Sequence, residues 1–312
     1  MKQSRVIVLF VFLVTVWGAG FVAVKAGLST IPPVLYAVFR FGIGAVIMLG
    51  YTVFLTDYQY PVGRRDWLAV SANGLFMFTI YPIALFLGQQ YVSGAIAAVV
   101  SALIPLLTPG LTLALLPSER LRARDLFGVT LGFVGAVLVV HPSPSNLFGA
   151  RTYGLALLVL SALMFALGGI VVKRIQAPLP SETLVAWSMG IGVLPLIAVS
   201  AVRGERSIAS IQWTGEAIFA TLFLGVIVTG VGYFVYFELL DHLSPLEVNV
   251  GGYLMPVTAA ITGWLWLDEI ITLVTMVGFL VIFIGFYLMK ADELKREIAK
   301  IRTADIEPVT DD

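Results

Sequence analysis

Ten stretches of this chain are too long and too apolar to sit in water: roughly 6–27, 34–55, 67–87, 94–116, 125–141, 153–173, 183–202, 214–240, 245–267 and 271–290. A helix needs about 20 such residues to cross the hydrocarbon of a bilayer. The runs are continuous rather than alternating, which excludes a membrane β-barrel with its period of two. Composition closes off the soluble alternative. Of 312 residues, 59% are hydrophobic and only 12% charged, 19 basic and 19 acidic, about half the charged share of a soluble domain. Zero net charge leaves no basic footprint for a nucleic acid, so the expected partners are the lipid bilayer and a small molecule. The chain reads as an all-α polytopic membrane protein. Its first run follows Lys2 and Arg5 as a signal peptide would, but it is too long for an h-region and another span follows closely, so it is read as a retained first helix.

Lysine and arginine in the joints set the orientation. With the N-terminus inside, the inner segments hold Lys2, Arg5, Arg64, Arg65, Arg120, Arg122, Arg124, Lys173 and Arg174, and the tail adds Lys290, Lys295, Arg296, Lys300 and Arg302. The outer joints hold only Arg151, Arg203 and Arg206. Both termini are therefore expected in the cytoplasm, with the protein in the cell (cytoplasmic or inner) membrane. The charge-alternating tail reads as a solvated helix.

The chain is also a duplication. WGAGFVAVK at 17–25 matches FALGGIVVK at 165–173, an offset of 148 that also places Gly42-Ile43-Gly44 on Gly190-Ile191-Gly192. Later in each half, Ser93 and Pro105 meet Ser244 and Pro256 at 151, and Glu119, Gly128 and Gly135 meet Glu269, Gly278 and Gly285 at 150. The unit is five spans. Five is odd, so the second copy enters the membrane from the opposite side. The joints agree: SERLRAR after the fourth span is basic and LDEI after the ninth is not. The expected organisation is ten transmembrane helices as two inverted five-helix repeats, 6–141 and 153–290, with an extracytoplasmic linker at 142–152 and a cytoplasmic tail at 291–312. Such symmetry suits a transporter, because exchanging the conformations of the halves exchanges inward-open for outward-open.

The stretch VTVWGAGFVAVKAGLSTIPPVLYAVFRFGIGA resembles the opening of EamA-type carriers of the drug/metabolite transporter superfamily. The matching residues are Trp17, Gly18, Phe21, Lys25, Pro32, Pro33, Phe39 and Arg40. Pro105 and Pro256, each followed thirteen or fourteen residues later by Glu119 or Glu269, look like the ends of EamA repeats. The resemblance covers about 6–290. It implies ten helices around a central cavity and export or exchange of small metabolites, without naming a cargo. Small multidrug relatives carry a glutamate in their first helix; this chain has none there, which leaves proton coupling unsupported.

Several residues are candidates for the site. Arg40 lies inside the second span, where a charge must face a cavity, carbonyls or a partner. It is free to meet a carboxylate or phosphate, or else to bond helix-end carbonyls; its counterpart is Ser188. Lys25 and Lys173 end spans 1 and 6, where lysine complements the helix dipole, or flank the two mouths of one pathway. Pro105 and Pro256 sit in mid-span and kink or break it, as hinges or as fixed bends. Trp17, Tyr81, Gln89, Ser101, Tyr233, Tyr236 and Tyr253 are candidate cavity residues, against the alternative of interfacial belts. Ser244-Pro245-Leu246-Glu247 reads as a capping box, which places Glu247 near water. Glu238, Asp241 and His242 are expected at the membrane surface. Gly128, Gly132 and Gly135, with Gly278 and Gly285, fit close helix packing between halves or between protomers, a spacing similar to that of the dimerising helix of small multidrug relatives. A monomer and a homodimer both remain open.

Rival classes fare poorly. There are no cysteines, and the only histidines are His141 and His242; no HExxH or GxSxG motif, catalytic residue, metal set or cofactor is expected. A channel would show rings of charge or carbonyl loops. The aromatic, nearly charge-free spans favour amino acids or related zwitterionic compounds over polyanions, and organic cations form the alternative cargo.

Overall fold

The computed structural model describes residues 3–115, 123–140, 149–205, 208–243, 248 and 251–304. Among the described residues every regular element is helical: α1 Gln3–Gly27, α2 Pro33–Leu55, α3 Arg64–Gln89, α4 Gly94–Ser101, α5 Ile104–Leu115, α6 Ala123–Val140, α7 Ala150–Ile175, α8 Ser181–Val202, α9 Gly215–Leu240, α10 Met255–Leu267 and α11 Leu273–Ala304. Six of them, α1, α2, α3, α7, α8 and α9, are long and apolar enough to span a membrane, and Gly94–Thr108 and Leu273–Leu288 are shorter apolar stretches. Large apolar side chains stand out from the bundle, among them Phe54 at 83% exposure and Trp264 at 63%. A water-facing surface would not carry them. The chain is an all-α polytopic membrane protein.

Local chemistry sets the helix ends. Proline at the start of α2 has its favoured slot, and the next free N–H groups, those of Val34 and Leu35, each donate at 3.0 Å to Glu205 Oε2 from the α8–α9 joint. Asp66 closes the start of α3: its Oδ2 accepts from Val62 N, Gly63 N and the Tyr58 hydroxyl at 3.1, 3.2 and 2.8 Å. Ser93 caps α4 through Ile96 N, and Thr214 caps α9 through Ala217 N. These bonds satisfy amides that a helix start leaves unpaired.

Two stretches read as continuous spans are broken. The run 94–116 parts at Ala102-Leu103 between α4 and α5. In the run 245–267 a 3₁₀ turn at Gly251–Tyr253 precedes α10. Pro105 and Pro256 are therefore not in helix interiors. Each is the second residue of a new helix, where a missing N–H costs nothing. The last helix instead runs past the expected end of its span to Ala304. Glu119, His141, the joint from Pro142 to Ser145, and Ser244 to Glu247 lie outside the described residues.

Helices α6 and α11 share the most extensive helix contact, and the repeated glycines are its cause. A Cβ on Gly135 would stand 2.6 Å from Gly278 O, and one on Gly285 would stand 2.5 Å from Gly128 O. Only hydrogen at those positions lets the backbones touch. The glycine pairs thus join two helices of one chain. Elsewhere α2 packs on α8, α1 on α10, and α3 on both α7 and α8, which leaves a cavity among α1, α2, α3, α7 and α9.

Candidate functional site

The cavity is walled by aromatic rings. Trp17 of α1 meets Tyr236 and Tyr233 of α9 at 5.6 and 6.1 Å between ring centroids. Tyr81 of α3 meets Phe165 of α7 edge to face at 5.2 Å, and Phe78 bridges to Tyr233 at 6.4 Å. Arg40 enters from α2, its guanidinium 4.9 Å above the ring of Phe41. It is the one charged side chain among the described residues of the lining.

Two widened, π-helical stretches place these groups: Phe76–Ile80 in α3 and Phe223–Val231 in α9. In such a turn the N–H reaches five residues back instead of four. Tyr81 N bonds Phe76 O, and Gly232 N bonds Ile227 O. The second shift releases Val228 O, which accepts from Trp17 Nε1 at 3.1 Å. A threonine hydroxyl reinforces each stretch, Thr79 donating to Gly74 O at 3.0 Å and Thr229 to Leu224 O at 2.8 Å. Each threonine also meets a helix from the other half. Thr79 shares its one hydroxyl hydrogen with Gly192 O of α8, also at 3.0 Å, while Thr229 Oγ1 accepts from Arg40 Nε of α2 at 3.3 Å. Glycine permits both approaches: a Cβ on Gly44 would strike Thr229, and one on Gly192 would lie 2.5 Å from Phe78 Cβ.

The helix breaks face the same space. Ser101, Ala102, Ile104 and Pro105 line it from the first break, and Gly252 and Met255 from the second. Because Pro105 and Pro256 carry no N–H, Ser101 O and Gly252 O lose the donor that a continuous helix would supply. Irregular backbone of this kind is tolerated at membrane depth where it lines a polar cavity.

Of the residues singled out in the sequence, Trp17, Arg40, Tyr81, Ser101, Pro105, Tyr233 and Tyr236 converge on the cavity. The others stand elsewhere. Gln89 is fully buried, with Nε2 donating to Phe21 O at 2.9 Å and Oε1 unpartnered, so it ties α3 to α1 rather than facing the cavity. Tyr253 is fully buried, stacked on Phe286 at 4.0 Å. Lys25 donates from Nζ to Gln89 O and Gln90 O at 3.0 and 3.2 Å. This joins the ends of α1 and α3, beside the start of α4, where Gly94 N donates to Glu269 Oε1 at 3.0 Å. Lys173 is exposed at the end of α7, and Pro256 is buried outside the cavity wall. At the opposite end of the bundle Glu238 pairs with Arg5 at 3.4 Å, and Asp241 and His242 are exposed.

Sequence reasoning passed over Thr79, Thr229, Phe41, Phe78 and Phe165. Three of these carried a signal. Thr79 and Thr229 are 150 apart, the offset of the later repeat matches, and Phe165 is the counterpart of Trp17 in the matched nonapeptides.

A solved crystal structure shares this fold, with a TM-score of 0.62 at 20% identity over 95% of this chain and 99% of the other. An uncharacterized transporter of Archaeoglobus fulgidus is 28% identical over 88% of this chain and 95% of its own length. A protein of Salmonella typhimurium described as a probable amino-acid metabolite efflux pump is 27% identical over 90% of this chain and 93% of its own. The model of the EamA-like transporter family matches twice, over residues 4–141 and 152–291. With both matches together spanning nearly the whole sequence, the chain belongs to the EamA-like transporter family.

Proposed function

We propose that this transporter carries amino acids or related small metabolites out of the cell by alternating access, its ten spans forming two inverted five-helix repeats at 6–141 and 153–290. The linker at 142–152 then lies outside, and both termini and the tail at 291–312 lie in the cytoplasm. The observation that carries this reading is the pairing of devices around one cavity. A widened, threonine-bonded turn and a proline-headed helix break come from each half, at offsets of 150 and 151. A cavity walled by matched elements of opposite orientation can open to either side by exchanging their conformations. Pro105 and Pro256 serve as the hinges.

The cargo class follows from the wall. Trp17, Tyr81, Tyr233 and Tyr236 offer apolar faces with polar tips, Ser101 a hydroxyl, and Arg40 a single positive charge for a carboxylate. One cation is thin provision for a polyanion, and it repels an organic cation. The similarity to an amino-acid metabolite efflux pump supports the same class. The test is counterflow of labelled amino acids in proteoliposomes, with and without a pH gradient, for the wild type and Arg40→Ala. Saturable counterflow that Arg40→Ala abolishes at unchanged protein abundance is the expected result. Absence of flux for every amino acid would refute the cargo class, and full flux through Arg40→Ala would refute the role of the arginine.

A further inference from the structure

Arginine can take a carboxylate on two faces: side-on through Nε and one Nη, or end-on through the two Nη atoms. Here one face is already occupied. Arg40 Nε donates to Thr229 Oγ1 at 3.3 Å, and the Thr229 hydroxyl hydrogen is committed to Leu224 O at 2.8 Å. The polarity of that chain is therefore fixed: Thr229 can only accept from the arginine. Thr229 is itself 1% exposed, so water does not compete for its oxygen. The guanidinium carbon also stands 4.9 Å above the ring of Phe41. Among the described residues nothing bonds either Nη.

From this arrangement we infer that Thr229 is a positioning residue for cargo recognition, locking the Arg40 guanidinium so that a single carboxylate is received end-on by its two Nη groups. The inference rests on the reading of Arg40 as the anion partner and adds how that group is aimed. A free arginine gives up several rotors when it binds; an arginine held by Thr229 and Phe41 has lost them beforehand. Planar two-point pairing then favours a carboxylate over a neutral amide of the same shape.

The fold supplies its own control. Thr79 occupies the corresponding place in α3 and makes the same bond five residues back, but its second partner is Gly192 O rather than a cation. Thr79→Val removes a hydrogen shared between Gly74 O and Gly192 O, Thr229→Val removes one given to Leu224 O, and only the second unties an arginine.

The experiment measures binding of L-leucine and L-phenylalanine, and of the amide of each, to the purified full chain in detergent. The variants are Thr229→Val, Thr229→Ser, Thr79→Val, Arg40→Ala and the wild type. The expected result is that Thr229→Val weakens the amino acids by about five- to ten-fold and leaves the amides as they were, so that the acid-to-amide preference falls. Thr229→Ser keeps the wild-type preference, and so does Thr79→Val. Equal loss in Thr79→Val and Thr229→Val would overturn the inference, since the helix bond alone would then explain the effect. Unchanged binding in Thr229→Val with binding lost in Arg40→Ala would overturn it while the arginine reading stands. Binding retained in Arg40→Ala, or no acid-over-amide preference in the wild type, would remove both.

Discussion

A single methyl group at Gly285 probes the seam between α6 and α11. A Cβ there would lie 2.5 Å from Gly128 O and 3.0 Å from Gly132 N, and one at Gly135 would lie 2.6 Å from Gly278 O and 2.8 Å from Ile282 N. Carbon and oxygen in such contacts settle at about 3.3 Å or beyond, so Gly285→Ala must part the helices by roughly 0.8 Å. The obstructing atoms are backbone and cannot rotate aside. Overpacking costs about 1–3 kcal/mol, here toward the upper end, while alanine returns about 1 kcal/mol in helix propensity. The net loss is about 2 kcal/mol, or a fall of roughly 4–8 °C in melting temperature on the scale of mid-sized proteins. Gly135→Ala should do the same. Both substitutions are relieved by the same parting of α6 from α11, so the double variant should lose less than the sum of the two. Gly50→Ala is the control, because a Cβ there meets nothing within 4 Å. The assay is the fraction of monodisperse protein left after heating in one detergent. Gly285→Ala and Gly135→Ala melting with Gly50→Ala would refute the account of the seam.

Trp17→Phe keeps a ring against Tyr233 and Tyr236 but leaves Val228 O without the 3.1 Å bond from Nε1; a loss of about 1–2 kcal/mol should show as a lower melting temperature, and an unchanged melt would mean the bond is not formed. Pro105→Ala and Pro256→Ala restore the N–H that a continuous helix needs, so each should slow counterflow; wild-type rates in both would dismiss the hinges. Outside the membrane, the bond from the Tyr58 hydroxyl to Asp66 holds that phenol above its ordinary range. A raised value means that its contribution is whole below about pH 10 and is lost as the phenol ionises above it. Melting temperature should therefore fall less steeply between about pH 10 and 11 in Tyr58→Phe than in the wild type, and parallel curves would exclude the bond as the cause.

The sequence disclosed most of what burial and repetition impose. Apolar run length located the helices, because a bilayer demands it whatever the tertiary fold. Arg40, Trp17 and the cavity tyrosines were legible for a related reason: polar and charged atoms at membrane depth need a polar space to face. Gln89 misled because a carbonyl, Phe21 O, can satisfy a buried amide as well as a cavity can. Tyr253 misled because its ring found Phe286. The prolines were noticed, but not that each would head a new helix, since residue type does not say on which side of a proline the chain will break. The widened turns were invisible to periodicity. Their hydrophobic runs look the same as any other, and only Thr79 and Thr229, equal in spacing to the repeat, hinted at them.

Those turns also set the phase of everything beyond them. A π-helical turn accommodates an extra residue, and each residue advances an α-helix by about 100°. Tyr233 and Tyr236 follow the widened stretch of α9 directly, as Tyr81 and Leu85 follow that of α3. Deleting one residue between Leu222 and Gly232 would let α9 close into a regular helix, still apolar and still long enough to span. Because the widened turn already absorbs that residue, its lower half would keep its facing, and both tyrosines would still reach the cavity. A one-residue gap in this stretch between two otherwise matching sequences therefore leaves the same side chains on the cavity, whereas the same gap in a regular turn would rotate them by about 100°.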